Sequence, residues 1–317
     1  MSQYLKPIPK SVLIFGAAGH IGKPLAEFLS RTRSDIKLRL ATSSVHKKLD
    51  LQKSFPSAEI VDANYFDLPT LISAVKGIEG VFVITPERMD DERTAMTNLV
   101  VALKASKDVI HIVRLMGVFP EFNLHRIPHV IKEDGKGLPV QHPIAKAVLD
   151  ESRLPVTYIN SGATFMDNLF LQIQSVRAKK QLIWPEHRVP FIDPRDVAEV
   201  AGRLLLSDNA KHIGQFHTMN NGTDWLEFKE VAEMISEILG EPVSYDGSQE
   251  AFLSFYGPHM GIDRANGLWN FFKFEEANEV CWALNNFVER TLGRKPKTVR
   301  EWLLEHREVL FATSLPS

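Results

Sequence analysis

The sequence predicts an α/β protein: a doubly wound parallel sheet with a smaller, mostly helical carboxyl-terminal portion. Three observations carry that reading. Apolar runs of strand length alternate with amphipathic helical segments through the first half of the chain, the pattern of parallel strands joined by crossover helices. The first run, Val12–Phe15, ends in a turn that holds Gly16, Gly19 and Gly22 and opens directly into a helix. Later in the chain, short extended stretches return among longer helical ones.

Val12–Phe15 is wholly apolar, as a strand buried on both faces must be. Ile21, Leu25, Phe28 and Leu29 then share one stripe of a helix. Between strand and helix, Gly16 lets the chain reverse, Gly19 lets backbone approach a pyrophosphate, and Gly22 lets the helix sit close on the strand. Free N–H groups and the positive end of the helix dipole face the phosphates. The stretch from Gly16 to Gly22, including Ala18, His20 and Ile21, is therefore read as a dinucleotide-binding turn of Rossmann type. Its spacing is G-x-x-G-x-x-G rather than the usual G-x-G-x-x-G, and a glycine-rich loop without a ligand is the alternative.

Ile36–Thr42 reads as the second strand. An acidic residue at its end would hydrogen-bond the adenosine ribose of NAD; the chain instead has Thr42, Ser43, Ser44, Lys47 and Lys48. Hydroxyls and cations suit a 2′-phosphate, so NADP(H) is expected over NAD(H), with a solvated basic turn as the alternative. Ala58–Asp62 is the third strand, and Asp62 and Asn64 stand where adenine edges are read. Asp67 is placed at the N-cap of a helix carrying Leu68, Leu71, Ile72 and Val75. Gly80–Pro86 holds the fourth strand, residues 91–106 a long helix, and Val109–Leu115 the fifth strand. Ligands of such sheets bind beyond the carboxyl ends of the strands, which selects Thr85, Pro86, Leu115 and Met116 as pocket residues.

Residues 117–141 are rich in Gly, Pro and His and read as a substrate-covering loop. His125 and His129 are four apart, but Pro128 lies between them and no glutamate follows the first, so no metal is expected. Gln141–Ser152 reads as a helix with Pro143 in its first turn and with His142 and Lys146 on one face. Leu154–Asn160 is the sixth strand; Asn160, Ser161, Gly162, Thr164, Phe165 and Met166 then leave the sheet for another helix. Asp193–Asp196 caps a helix holding Val197, Val200, Ala201 and Leu204–Leu206. His212–Thr218 reads as a late strand, and Trp225–Leu239 as an amphipathic helix ended by Gly240 and Pro242. Residues 285–291 and 298–306 are helical, and Trp269, Phe271, Phe272 and Phe274 read mainly as core. The nucleotide-binding domain is placed at residues 1–160, its sheet completed by later strands. The substrate-binding lid portion is placed at 161–317, interleaved with that sheet.

Four stretches together resemble the NmrA-like branch of the atypical short-chain dehydrogenase/reductase superfamily. They are Gly16-Ala-Ala-Gly19-His-Ile-Gly22, Leu154–Asn168, Val189–Ala198 and Leu292–Thr298, and the resemblance runs from about Lys10 to Leu310. It implies a Rossmann domain with a smaller carboxyl-terminal part that lids the substrate cleft. It also implies one of several roles: reduction of quinones, of alkaloid imines or iminium ions, or of enones, or NADP-binding regulation without turnover.

Ordinary short-chain reductases use a Tyr-x-x-x-Lys pair with a serine, the lysine lowering the pKa of the tyrosine that donates the proton. None of the five tyrosines here has a lysine four residues on, and Met116 takes the place of the serine. Where relatives carry a lysine followed four residues later by Glu or Arg, His142 and Lys146 align, which makes them the candidate catalytic pair. A histidine suits proton donation near neutral pH; the alternative is a helix-start residue and a solvated charge. Hydride addition to an iminium ion needs no acid, and a quinone or enone needs only mild assistance. The expected function is an NADPH-dependent oxidoreductase passing hydride to a small apolar substrate: an imine or iminium of secondary-metabolite or alkaloid type, a quinone, or an enone. Met116, Phe119, His125, Phe165, Met166 and Trp184 are expected to line its cleft. A non-catalytic NADP(H)-sensing regulator that binds a protein partner is the alternative.

The 317 residues carry a formal charge of −2 and a pI near 6.6, no electrostatic footprint for nucleic acid or an anionic membrane. No apolar run reaches the length of a membrane span, and the start lacks a signal-peptide core. Cys281 is the only cysteine, so a reducing, cytoplasmic setting is expected. Its neighbours Val280 and Trp282 suit a packing role over a nucleophilic one. The partners expected are a small-molecule substrate, no nucleic acid and no membrane, with a homodimer as an option.

Overall fold

The apolar run after Lys10 forms strand β1 (Ser11–Ile14), with Val12, Leu13 and Ile14 wholly buried. The structure is a computed structural model that describes residues 4–42, 44–86, 89–117, 129, 138–277 and 283–311. Around β1 lie β2 (Lys37–Ala41), β3 (Glu59–Val61), β4 (Gly80–Val83), β5 (His111–Met116), β6 (Val156–Ser161) and β10 (Phe216–Met219). Together they make one seven-stranded sheet in the order β10-β6-β5-β4-β1-β2-β3, every pairing parallel. The order reverses between β1 and β4, the switch point at which ligands of open α/β sheets bind.

Crossovers running in opposite directions from that point place helices on both faces. Helix α1 (Gly22–Thr32) packs on α8 (Pro194–Leu206). The missing side chain of Gly202 makes room for Phe28, since a Cβ there would lie 2.6 Å from Phe28 Cε1. In the other layer α3 (Leu68–Val75) packs on α4 (Glu92–Ser106), and α4 on α5 (Leu138–Ser152). Helix α2 (Val45–Ser54) joins β2 to β3.

The chain divides into two compact units. The first holds the sheet and its helices and takes back Pro194–Met219; the second holds Gly162–Asp193 and the chain after Met219. In the second unit β7 (Thr164–Phe165), β9 (Arg188–Ile192) and β11 (Trp225–Glu227) form a three-stranded sheet, and β8 (Gln181–Ile183) pairs with β12 (Ser244–Asp246). Its helices are α6 (Leu169–Gln172), α7 (Gln174–Lys179), α9 (Phe228–Leu239), α10 (Gln249–Met260), α11 (Ile262–Ala277), α12 (Phe287–Leu292), α13 (Val299–Glu305) and α14 (Arg307–Phe311). Met166, Trp184, Phe191, Phe228, Phe252 and Trp302 stand in its core. No helix among the described residues is long and apolar enough to cross a membrane.

Several local expectations are corrected. Helix α5 starts at Leu138, so Pro143 lies inside it and not in its first turn; the buried Gln141 and His142 make tertiary bonds that outvote the proline signal. Ile72 is 43 % exposed, because eight-residue α3 buries the narrower stripe Leu71, Ala74 and Val75. Asp67 does occupy the N-cap of α3 as expected, but its side chain makes no capping bond. Trp225–Glu227 is not the start of a helix: it pairs antiparallel with β9, and α9 begins at Phe228, with Glu227 as N-cap and Glu230 completing its capping box. The late strand is confined to Phe216–Met219, since Gly214, at φ +79°, turns the chain just before it. Ser43, Phe119, His125 and Cys281 lie outside the described residues.

Candidate active site

Gly16 has φ +63°, a left-handed conformation that favours glycine. At Gly22 a Cβ would lie 2.8 Å from Ala17 Cα and closer still to the Gly16 carbonyl oxygen, so the first turn of α1 rests directly on the loop. The Gly19 N–H donates to that same carbonyl at 2.9 Å. Ala17 and Ile21 are buried beneath the turn, Ala18 is half-buried, and Gly16, Gly19 and His20 face outward. Among the described residues no side chain caps the start of α1, and no acidic residue stands in its first turn, which leaves the positive end of the helix suited to an anion. Tyr65 stacks on Phe15 at 4.9 Å and donates to the Ile84 carbonyl, tying the strand before the turn to the end of β4.

At the end of β2, Thr42 Oγ1 accepts the Ser44 N–H at 3.2 Å, and Ser44 Oγ accepts the Lys47 N–H at 3.4 Å to cap α2. Both hydroxyls keep their own protons to donate. The region expected as a hydroxyl-rich basic turn is thus also a helix N-terminus, with Lys47 exposed beside it. Asp62, just after β3, is paired with Lys48. Asn64 Oδ1 accepts the Phe66 N–H at 3.0 Å, which commits that oxygen to a local turn.

Beyond β4 and β5 the structure gathers residues that sequence reading did not combine. Arg114, on β5 and wholly buried, donates from Nη2 to Glu92 Oε2 at 2.8 Å, to Glu92 Oε1 at 3.1 Å and to Thr85 Oγ1 at 2.9 Å. The Thr85 hydroxyl in turn donates to Glu92. His142 Nε2 lies 3.4 Å from Glu92 Oε1 and 3.5 Å from Thr85 Oγ1, while Nδ1 accepts the Gly117 N–H at 2.8 Å. Gln141 Oε1 accepts the backbone N–H of Glu92 at 3.0 Å. Because Nδ1 accepts, the single proton of the neutral ring belongs on Nε2. Burial first, and the nearby Arg114 charge second, hold the His142 pKa well below its ordinary value. Nε and Nη1 of Arg114 have no hydrogen-bond partner among the described residues.

His142 and Lys146 share helix α5 but serve different groups. Lys146 Nζ pairs with Asp150 at 2.6 Å and lies 4.8 Å from the centre of the Tyr158 ring, whose hydroxyl donates to Asp150 at 2.8 Å. Leu115 and Met116 are buried at the end of β5, and Pro86 is exposed. Asn160, wholly buried, is in register between Met116 and Thr218, followed by half-buried Ser161 and buried Gly162. In the second unit Thr164 and Phe165 are half-buried. Met166 and Trp184, expected to line a cleft, are core residues there. Trp184, 2 % exposed, is ringed by Phe228, Phe252, Tyr256 and Phe272 at centroid distances of 5.1–6.0 Å. The one hint of the Glu92–Arg114 pair in the sequence is an arginine flanked by apolar residues within a strand.

A family model described as the NmrA-like family matches residues 9–303. The chain is 25% identical over 308 residues to a (4-alkanoyl-5-oxo-2,5-dihydrofuran-3-yl)methyl phosphate reductase of Streptomyces griseus, covering 94% of this chain and 98% of that one. A nucleoside-diphosphate-sugar epimerase from Staphylococcus aureus superposes with a TM-score of 0.76 at 21% identity, over 93% of this chain and 99% of its own. An NADPH-dependent quinone oxidoreductase from Escherichia coli, solved with NADPH, gives a TM-score of 0.76 at 18% identity over the same shares. At these identities the two solved structures show a common fold.

Proposed function

The chain belongs to the NmrA-like family, and from that premise we propose that it is an NADPH-dependent reductase of small, apolar, conjugated acceptors. The observation that carries this is the cradle at residues 16–22: a glycine turn pressed against the uncapped start of α1. Gly16, Ala18, Gly19, His20, Ile21 and Gly22 would hold the pyrophosphate, and Thr42, Ser44 and Lys47 the 2′-phosphate. Asp62 and Asn64 would stand beside the adenine, with Asp62 already neutralised by Lys48. Thr85, Pro86, Leu115, Met116, Asn160, Ser161, Gly162 and Thr164 are assigned to the nicotinamide end. NADPH, when bound, supplies the hydride.

The protein's own part is position and a dry surface. The Thr85 hydroxyl is turned inward to Glu92 and Arg114, so this strand end offers a ligand backbone and apolar groups. Buried Leu115 and Met116 exclude water there. Lys146, the half-buried member of the expected pair, is neutralised by Asp150. Among the described residues the site holds few acids, which suits acceptors that need little or no protonation in the rate-limiting step: an iminium ion, a quinone or an enone. The furanone phosphate reductase and the quinone oxidoreductase among the similar proteins support the last two. Substrate selection is assigned to the second unit, with Phe165 as a contact, and a cytoplasmic setting suits a soluble cofactor.

The test is titration of the purified protein with NADPH and NADH, followed by NADPH oxidation with cyclic iminium ions, quinones and enones including butenolides. Tight NADPH binding with turnover of one class is the expected result. Binding without turnover of any class would replace the reductase by an NADP(H) sensor. Failure to bind either nucleotide would overturn both.

A further inference from the structure

We propose that His142 is a positioning residue of this site: it holds the end of β5 through Gly117 and does not itself give a proton to the substrate. This assignment rests on the reductase reading above and deepens it. The β5–β6 ladder ends at the pair Met116–Asn160. Gly117 is the next residue, and its N–H finds His142 Nδ1 at 2.8 Å. The imidazole thus supplies, from helix α5, an acceptor for the backbone just past the ladder.

The ring is held from its other side as well. Nε2 is turned to Glu92 Oε1 at 3.4 Å. Glu92 is fixed by both contacts from Arg114 Nη2, by the Thr85 hydroxyl, and through its own N–H by Gln141. One buried knot therefore joins the end of β4, the start of α4, the end of β5 and the start of α5. Those strand ends are where a doubly wound sheet presents its ligand, so a displaced Gly117 displaces the wall of the nicotinamide end. A proton-donor role is poorly served by the same geometry. The ring is 5 % exposed, its Nδ1 lone pair is occupied, and loss of the Nε2 proton would leave Glu92 facing a second acceptor. Gain of a proton is opposed by burial and by Arg114. Held at both ring nitrogens, the imidazole acts by fixing geometry.

His142→Asn separates the two roles, because its Oδ1 takes the place of Nδ1 as acceptor for Gly117 while the side chain cannot titrate near neutrality. The measurements, on the full chain, are amide exchange at Gly117, KM for NADPH, kcat and the pH profile of kcat. His142→Asn should keep Gly117 protected, keep kcat within about 3-fold and leave the pH profile unchanged. His142→Ala should lose the protection and lower kcat/KM for NADPH by about 10- to 100-fold in all, the scale of one part-buried donor left unpaired. A fall in kcat of about 10²–10⁴ in His142→Asn with Gly117 still protected and one limb of the pH profile gone is the signature of a general acid and would overturn the proposal. So would His142→Ala with unchanged exchange and kinetics. If His142→Ala does not fold, His142→Asn decides alone. If the unaltered protein reduces no acceptor, the reductase reading fails, while Gly117 exchange in the two variants still tests what holds the end of β5.

Discussion

Gly22→Ala puts the reading of the glycine turn at risk with a single methyl group. The new Cβ would stand 2.8 Å from Ala17 Cα, and nearer to the Gly16 carbonyl oxygen, where ordinary contact begins at 3.4 Å. Both obstacles are backbone, so no rotamer relieves the clash, and turn and helix must separate by roughly 1 Å in an interior with no slack. Overpacking of this kind costs about 1–3 kcal/mol of stability. The larger effect is on ligand binding, because the Gly16 carbonyl also accepts the Gly19 N–H and its displacement opens the whole cradle. A misplacement of that size is worth about 100-fold in a positioned interaction, and NADPH affinity should fall by at least that factor. The assay is a fluorescence titration with NADPH run beside thermal unfolding. Gly240→Ala serves as control: Gly240 ends α9 at φ +73°, and a Cβ added there would meet no atom within 4 Å, so it should lose about 1 kcal/mol of stability and no NADPH affinity. Wild-type affinity in Gly22→Ala, or equal losses of affinity in both variants, would refute the reasoning.

Two further outcomes are expected. Replacing Ser44 and Lys47 together by alanine should raise the dissociation constant for NADPH by about 10- to 100-fold, the loss of charge-assisted phosphate contacts, and leave that for NADH unchanged; parallel titrations with the two nucleotides check this. His111, buried at the start of β5 with Nε2 2.8 Å from Thr157 Oγ1, has its pKa pushed down to about 3 by burial. A folded-state pKa below that of the unfolded chain means that the unfolded chain binds the extra proton, so this contribution to stability is complete above the unfolded value near 6.5 and is lost as pH falls toward 3. His111→Gln should therefore flatten the dependence of unfolding free energy on pH by about 1.4 kcal/mol per unit between pH 6 and 4, measured by urea unfolding across that range.

The glycine turn was legible because its constraints are local. An apolar run, three glycines and an amphipathic stripe lie within about twenty residues, and Gly16 and Gly22 have the conformation and the close approach that their spacing implies. The buried knot was not legible. An arginine in Ile112-Val113-Arg114-Leu115 reads as one outward step of an alternating strand, and Glu92 in the first turn of α4 reads as a partner for the helix dipole. Their pairing joins two elements through the packing of α4 and α5 over the sheet, and no spacing in the sequence encodes it. Helices α10 and α11 escaped for a different reason. They bury few positions, Phe252, Tyr256 and Gly257 in one and Ala265, Phe274 and Glu275 in the other, without a continuous stripe, and Pro258 and Gly261 interrupt the stretch. Trp184 and Met166 were misplaced because a large apolar side chain beside a strand end reads alike whether it faces a ligand or a core.

The order of the sheet has a consequence for how the chain emerges during synthesis. Strand β10, the outer neighbour of β6, follows it only after residues 162–215 have been made. At a synthesis rate of about 5–20 residues per second that interval lasts roughly 3–11 s. Throughout it β6 is an open edge with unpaired N–H and C=O groups, able to pair with a neighbouring nascent chain. The first unit is thus most prone to aggregation while the ribosome is making residues 162–215.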